Sequence, residues 1–304
     1  MTEPHPPTTV EEISAVWLDR ALRHSGILAV EVEAIEVTPL GPAAGFLGDL
    51  ARVGVTYRSG SGPSTVIVKL PTTDPGGRRV GEMLRAWSRE IAFYRDLAPQ
   101  APDVDVPLCF HHGGTPTAPQ GRPAPWVLVL EDCHSDPIDV AVGATDGQAF
   151  GAVEALARFH AAWWQSSRTF DWMPGFDTTG VGGLQPAWLD AIPTFLRRYG
   201  HLIPDPTGTW LERFAPRLSA WSDRVALQPL TVVHADFRLD NLLFDGNRVT
   251  IIDWQTALRG PGAMDLTSFI ATGLTADNRR RLESDLIDRY VLTLAGRGVV
   301  VDRT

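Results

Sequence analysis

The sequence predicts an α+β fold with its two kinds of element segregated along the chain. Two observations carry that expectation. Short apolar runs that alternate with polar residues crowd residues 30–131, and beyond Cys133 the apolar spacing turns helical. At 304 residues, 44% hydrophobic and 21% charged, the chain has the balance of a globular protein and the length for two lobes. The expected division is 1–131 and 132–304.

The elements follow in order. "TTVEEISAVWLDRALRHSG" opens with a capping box, Thr9 to Glu12, ahead of a helix whose stripe is Ile13, Trp17, Leu18, Ala21 and Leu22. Strands are expected at 30–40, 50–58 and 65–71, the first two joined through the glycine-rich "GPAAGFLGD". "VGEMLRAWSREIAFYRDLA" (80–98) reads as one helix with Ala86, Glu90, Phe93 and Leu97 along a face. "PLCFHHGG" and "PWVLVLEDC" read as two more strands around the loop "TPTAPQGRPA". A helix over 146–167 comes next, then an irregular stretch from Thr169 to Thr209. Further helix is expected at 209–225 and from Asp265 and Asp277 onward, with Asp265 as an N-cap.

Charge and composition exclude several functions. A net charge of −9 and a pI near 5.3 argue against nucleic acid or an anionic membrane as the main partner. The sequence holds no run of eighteen apolar residues, and "MTEPHPPTTVEE" lacks the order of a signal peptide. Cys109 and Cys133 are too few for a disulfide framework or a zinc site, so a reducing cytoplasm is the default expectation.

The chemistry concentrates in "HADFRLDN" (234–241) and in "TIIDWQ", whose aspartate is Asp253. The stretch between them, "NLLFDGNRVTIIDW", reads as a hairpin turning at Asp245-Gly246-Asn247. With 244 opposite 248, residue 241 faces 251 and 239 faces 253. Asn241 and Asp253 then leave the same open end, offset by ~7 Å along the strands. Asp236 feeds that end. Two carboxylates and an amide oxygen there suit Mg²⁺, which takes one or two protein oxygens and completes its shell with water and phosphate. Arg238 supplies a cation for phosphate.

On these residues the sequence resembles the aminoglycoside phosphotransferase-like kinases, in the branch of ecdysteroid-kinase-like and choline-kinase-like enzymes. The motif H-x-D-x-x-x-x-N is matched by His234, Asp236 and Asn241, and the family's metal aspartate by Asp253. The resemblance runs over roughly residues 40 to 270. It implies a protein-kinase-like two-lobe fold, with the nucleotide held by 1–131 and the catalytic loop, metal site and acceptor region in 132–304. It further implies that Lys69 of "VIVKLP" grips the phosphates of ATP and that Glu90 of "REIAFYRDL" pairs with it. Gly45 and Gly48 stand where backbone amides cradle phosphate, and Glu131 and Cys133 of "VLVLEDCHS" stand at the adenine hinge. Asp236 takes the catalytic position, Arg238 balances charge on the transferred group, and Asn241 and Asp253 hold Mg²⁺. Asp265 anchors the catalytic loop.

Plainer readings exist for each residue. His234 is expected to support its loop rather than react, and His160 with Trp163 and Trp164 to pack in the core. A lysine on a strand is usually solvated, but Lys69 lies within an apolar run where an acidic partner is expected. The expected activity is ATP-dependent phosphorylation of a hydroxyl on a small molecule, an antibiotic or hydroxylated metabolite. The rival is a non-catalytic ATP-binding scaffold on the same fold. The segment after Asp253, "WQTALRGPGAMD", is too short for the activation segment of a protein kinase. Trp163, Trp164, Trp172, Trp188 and Trp210 suit the walls of a pocket for a bulky apolar alcohol or, by cation–π contact, a quaternary ammonium, and an apolar or mixed acceptor is expected over a polycation. The expected partner is that small molecule, with no nucleic acid and no membrane, for a monomer or homodimer. Relatives usually continue with further C-terminal helices, so either a longer natural chain or a more open acceptor side is expected.

Overall fold

The structure, a computed structural model, describes residues 2–41, 47–101, 103–114, 125–177 and 179–301. Gly45, with 42–46, and the loop 115–124 lie outside them. The chain forms two compact units, residues 1–141 with 239–256, and residues 142–238 with 257–304. The fold is α+β as expected, strand-rich toward the N-terminus and helical toward the C-terminus. No helix of the described residues is long and apolar enough to cross a membrane.

In the first unit, helix α1 (Ala15–His24) precedes strands β1 (Glu31–Leu40), β2 (Gly48–Ser59) and β3 (Thr65–Pro71). Helices α2 (Pro75–Leu84) and α3 (Ala86–Ala92) lead to β4 (Cys109–Gly114) and β5 (Trp126–Glu131). The strands form one antiparallel sheet in the order β1-β2-β3-β5-β4. Alternation gives it two faces. Val53, Val66, Val68, Leu70, Val127 and Val129 are buried together with Leu18 and Leu22 of α1. Lys69, on β3, lies in register with Leu50 and Leu128.

Local chemistry corrects several expectations. The Thr9–Glu12 capping box does not form: residues Val10–Glu12 make a 3₁₀ turn, and Glu12 accepts instead from the amide and hydroxyl of Thr8. The N-cap of α1 is Ser14, which accepts from the Trp17 amide. The helix expected over 80–98 is two helices, because Arg85 takes a left-handed φ of 51° between α2 and α3. Asp74 caps α2 through the Gly77 amide, so that helix starts earlier than its apolar periodicity suggests.

In the second unit, α4 (Asp146–Trp163) starts with a capping box, Thr145 with Gln148. The stretch expected to be irregular holds α5 (Gln185–Tyr199) and α6 (Asp205–Phe214), and α7 (Leu218–Val225) follows. Prolines at the first positions of α5 and α6 are compatible with helix starts, since their missing N–H has no helical partner there. Short strands β6 (Thr231–Val233) and β9 (Leu258–Gly260) pair antiparallel. Between them in sequence lies the hairpin β7 (Leu242–Asp245) and β8 (Arg248–Ile251), which belongs to the first unit. Helices α8 (Ala263–Thr272) and α9 (Ala276–Ala295) complete the second unit. Asp265 is not an N-cap, because Gly262 holds that position and Asp265 sits inside the first turn of α8, fully buried.

Candidate active site

The hairpin register differs by one residue from expectation. Asp245 pairs with Arg248 and Leu242 with Ile251, so the connection is the two residues Gly246-Asn247. Gly246 has φ 57°, and a glycine at the first of two central positions suits a type II′ turn. Asn241 therefore faces Ile252, whose amide donates to the Asn241 carbonyl at 3.0 Å. Asp253 is one position beyond that pair rather than two, ~3.4 Å along the strand. The tighter register brings Asn241 and Asp253 closer to one level than a three-residue loop would.

Asp253 is fixed from both sides. Its φ is 65°, a left-handed backbone that costs a non-glycine residue about 1–3 kcal/mol. Trp254, fully buried, stacks on Phe93 at 3.9 Å and donates its indole N–H to the Ile251 carbonyl. These contacts hold the strained residue in place.

Lys69 Nζ lies 2.9 Å from Glu90 Oε1 and 2.8 Å from Asp253 Oδ1. The Lys69 and Glu90 side chains are buried, and that of Asp253 is 34% exposed. Burial alone would push the lysine down, but the carboxylates of Asp253 and Glu90 outweigh it and hold the ammonium above its usual range. Burial raises the Glu90 carboxyl, against the pull of Lys69. Gln255 donates a side-chain hydrogen bond to Glu90 as well. Gly48 lies against this lysine: a Cβ there would sit 3.2 Å from Lys69 Cε and 3.1 Å from the Leu70 carbonyl.

At the end of β5, Glu131 and Leu108 exchange backbone and side-chain bonds, Glu131 N to Leu108 O at 2.8 Å and Leu108 N to Glu131 Oε2 at 3.1 Å. Arg52 grips Asp132 with two hydrogen bonds, at 2.8 and 3.0 Å. Burial pushes the Cys133 thiol up to about 12, with Glu131 adding to the shift, so it is no thiolate nucleophile at neutral pH.

Asp236 and Arg238 belong to the second unit. Their side chains approach to 3.6 Å and are both close to half exposed, an ion pair of little energetic weight. His234 is fully buried, and its Nδ1 accepts from the Asp236 amide at 3.3 Å. Asp265 accepts from the amides of His234 at 2.6 Å and Ala235 at 2.8 Å. Thus Lys69, Glu90 and Asp253 meet in one unit, with Asn241 beside Asp253 in the hairpin. Asp236 and Arg238 meet in the other. The sequence reading missed Gln255, which follows Asp253 by two residues but shows no pattern that names Glu90 as its partner.

The donor set around Asp253 fits Mg²⁺. Among the described residues no group of three or more His, Cys, Asp or Glu is placed to hold a metal. Magnesium needs no such cage, only one or two protein oxygens, and the amide of Asn241 and the partly exposed carboxylate of Asp253 are groups that could supply them.

Residues 54–299 match the model of the APH phosphotransferase enzyme family. The chain is 23% identical over 282 residues to a Caenorhabditis elegans protein described as uncharacterized kinase-like protein D1044.1, covering 85% of this chain and 73% of that one. Among solved structures it is similar to the amicoumacin kinase hAmiN in complex with AMP-PNP, Ca²⁺ and Ami, with a TM-score of 0.55 at 14% identity over 88% of this chain and 73% of the other. It is also similar to choline kinase of Cryptosporidium parvum, with a TM-score of 0.55 at 10% identity, covering 86% and 74%. For the gentamicin–APH(2")-IIa complex the TM-score is 0.51 at 14% identity, covering 91% and 83%. At these identities the likeness establishes a shared fold.

Proposed function

Because the chain belongs to the APH phosphotransferase enzyme family, we propose that it transfers the γ-phosphate of Mg-ATP to a hydroxyl group of a small molecule. The observation that carries this reading is the buried ammonium of Lys69 between Glu90 and Asp253. A buried ion triad is poor value as a stabilising device, since apolar residues of equal volume often do as well or better. Here one of its carboxylates also sits on strained backbone and stays a third exposed. That combination is what a phosphate-binding lysine and a metal-binding aspartate need.

In this reading Lys69, fixed by Glu90, holds the α- and β-phosphates. Gly48 keeps the backbone clear of the lysine stem. The backbone of Glu131 to Cys133 holds adenine. Asn241 and Asp253 hold Mg²⁺, which when bound neutralises phosphate charge. Asp236 accepts or orients the proton of the acceptor hydroxyl, and Arg238 balances charge on the group in flight. Because phosphoryl transfer passes through a loose transition state, positioning and charge neutralisation supply most of the catalysis.

The acceptor is read from an aromatic row in the second unit. Phe176 contacts Trp221 at 5.4 Å, Trp221 contacts Phe214 at 5.4 Å, and Phe214 stacks on Trp210 at 4.7 Å. Phe176 packs beside Val233 in a cluster that includes Ala235, next to Asp236, while Trp210 is 54% exposed. Such a row suits an apolar or mixed hydroxylated metabolite or antibiotic. The enzyme is assigned to the cytoplasm, as a monomer or homodimer.

A coupled ADP-release screen over a library of hydroxyl compounds tests the reading, with Asp236→Asn as the blank. The variant is expected to lower kcat by ~10²–10⁴ while ATP still binds. Nucleotide binding without turnover of any acceptor would instead favour the non-catalytic scaffold.

A further inference from the structure

Behind the loop that carries Asp236, a buried chain of polar groups runs to the last helix. We propose that Tyr290 of α9 is a positioning residue for that loop, acting through His160 and Asp265. That this loop is catalytic rests on the function proposed above; its positioning by Tyr290 does not.

The links are short and enclosed. Asp265 accepts from the amides of His234 and Ala235 and lies 3.2 Å from His160 Nε2. The other ring nitrogen of His160, Nδ1, lies 2.7 Å from the Tyr290 hydroxyl. His160, Asp265 and Tyr290 are all buried. A carboxylate only accepts, so His160 Nε2 carries the proton that faces Asp265. In the neutral ring Nδ1 is then an acceptor, and Tyr290 O–H donates to it. Burial, with the charge of Asp265 adding to it, raises the phenol far above its usual range and keeps it a donor. Tyr290 therefore selects the tautomer of His160 that can serve Asp265.

What Asp265 holds is a backbone that resists its own conformation. Ala235 has φ 64°, left-handed, and its amide is one of the two bonded to Asp265. The residue after it is Asp236. Two further features are shaped around the link. The Thr231 hydroxyl donates to the His160 carbonyl at 2.7 Å and fixes the end of α4. Gly262, just ahead of α8, lies against the Tyr290–His160 bond: a Cβ there would overlap the Tyr290 oxygen and come within 3.0 Å of His160 Nδ1. The bond can thus be disturbed from either end, by removing the hydroxyl or by adding a methyl group opposite it.

The test is amide hydrogen exchange with ¹⁵N spectra of the histidine rings, on the full chain and on Tyr290→Phe and Gly262→Ala. The proposal expects the amides of His234 and Ala235 to exchange about tenfold faster or more in both variants, with the amides of Leu156 and its neighbours in α4 unchanged. It also expects a changed Nδ1 resonance for His160. Where an acceptor is turned over, kcat should fall with KM for ATP unchanged. Unaltered exchange at 234 and 235, or acceleration spread evenly over α4 and α9, would overturn the proposal. If Gly262→Ala fails to fold, Tyr290→Phe decides alone. Failure of every acceptor to react would sink the function proposed above and leave the exchange result standing.

Discussion

Lys69 reaches its carboxylates from a strand interior, and its isolation there has measurable consequences. Removing one member of a buried ion group leaves the others uncompensated, at a cost of about 3–5 kcal/mol. Lys69→Met should destabilise the protein on that scale near pH 8, read by urea unfolding. The variant should then recover stability as pH falls. Glu90 is raised by burial, and without the lysine only the Gln255 hydrogen bond still pulls it down, against the added charge of Asp253. A carboxyl with a raised folded-state pKa contributes stability that is full below the unfolded value and lost as pH rises through the folded value. Protonating Glu90 at lower pH therefore relieves the variant, whereas the wild type has Lys69 to neutralise it. A pH-independent loss would show that Glu90 is not the group left exposed to its own charge. At this scale the sequence was informative where a polar residue interrupts an apolar run, as Lys69 does in "VIVKLP". It was silent on Tyr290, an ordinary core aromatic by pattern, whose partner His160 lies 130 residues away.

Elements were legible where side-chain period and punctuation agree. The strand runs at 65–71 and the capped α4 come from such agreement. Boundaries set by a single backbone torsion were not, as at Arg85, whose residue type gives no hint of a left-handed φ. The hairpin register depended on whether Asp245 belongs to the turn or to the strand, a choice that moves Asn241 by one position against Asp253. β4 carries a prediction of its own. His111 is buried on that strand, edge-on to His24 of α1 at 5.7 Å, with no hydrogen-bond partner for its Nε2 among the described residues. Burial, aided by His112 and His24 and opposed by Glu3, lowers its pKa to about 4. A histidine depressed in the folded state contributes stability that is present above its unfolded pKa of ~6.5 and lost as pH falls toward the folded value. Chemical denaturation between pH 7 and pH 4 should show the wild type losing about 1–3 kcal/mol more than His111→Leu. Equal losses would mean the ring does not carry the acid sensitivity.

For the whole molecule, the informative feature is that a distant segment joins the first unit. The hairpin 239–256 is tied there by bonds no local pattern announces: Ile251 N to Asp105 O at 2.9 Å, Asp136 N to Phe244 O at 2.6 Å, and Arg248 to Asp105 at 2.9 Å. Those ties deliver Asp253 to Lys69 across 184 residues of sequence. Family membership and the α+β fold were readable from motif and periodicity. The delivery was readable only through the resemblance, because spacing along a chain does not encode such distances. Calorimetric titration of the protein with ATP, with and without Mg²⁺, tests this convergence most directly. Wild type should bind ATP more tightly with magnesium, and Asp253→Ala should lose that dependence while still folding. Magnesium-dependent binding that survives in Asp253→Ala, or wild-type binding indifferent to magnesium, would contradict it.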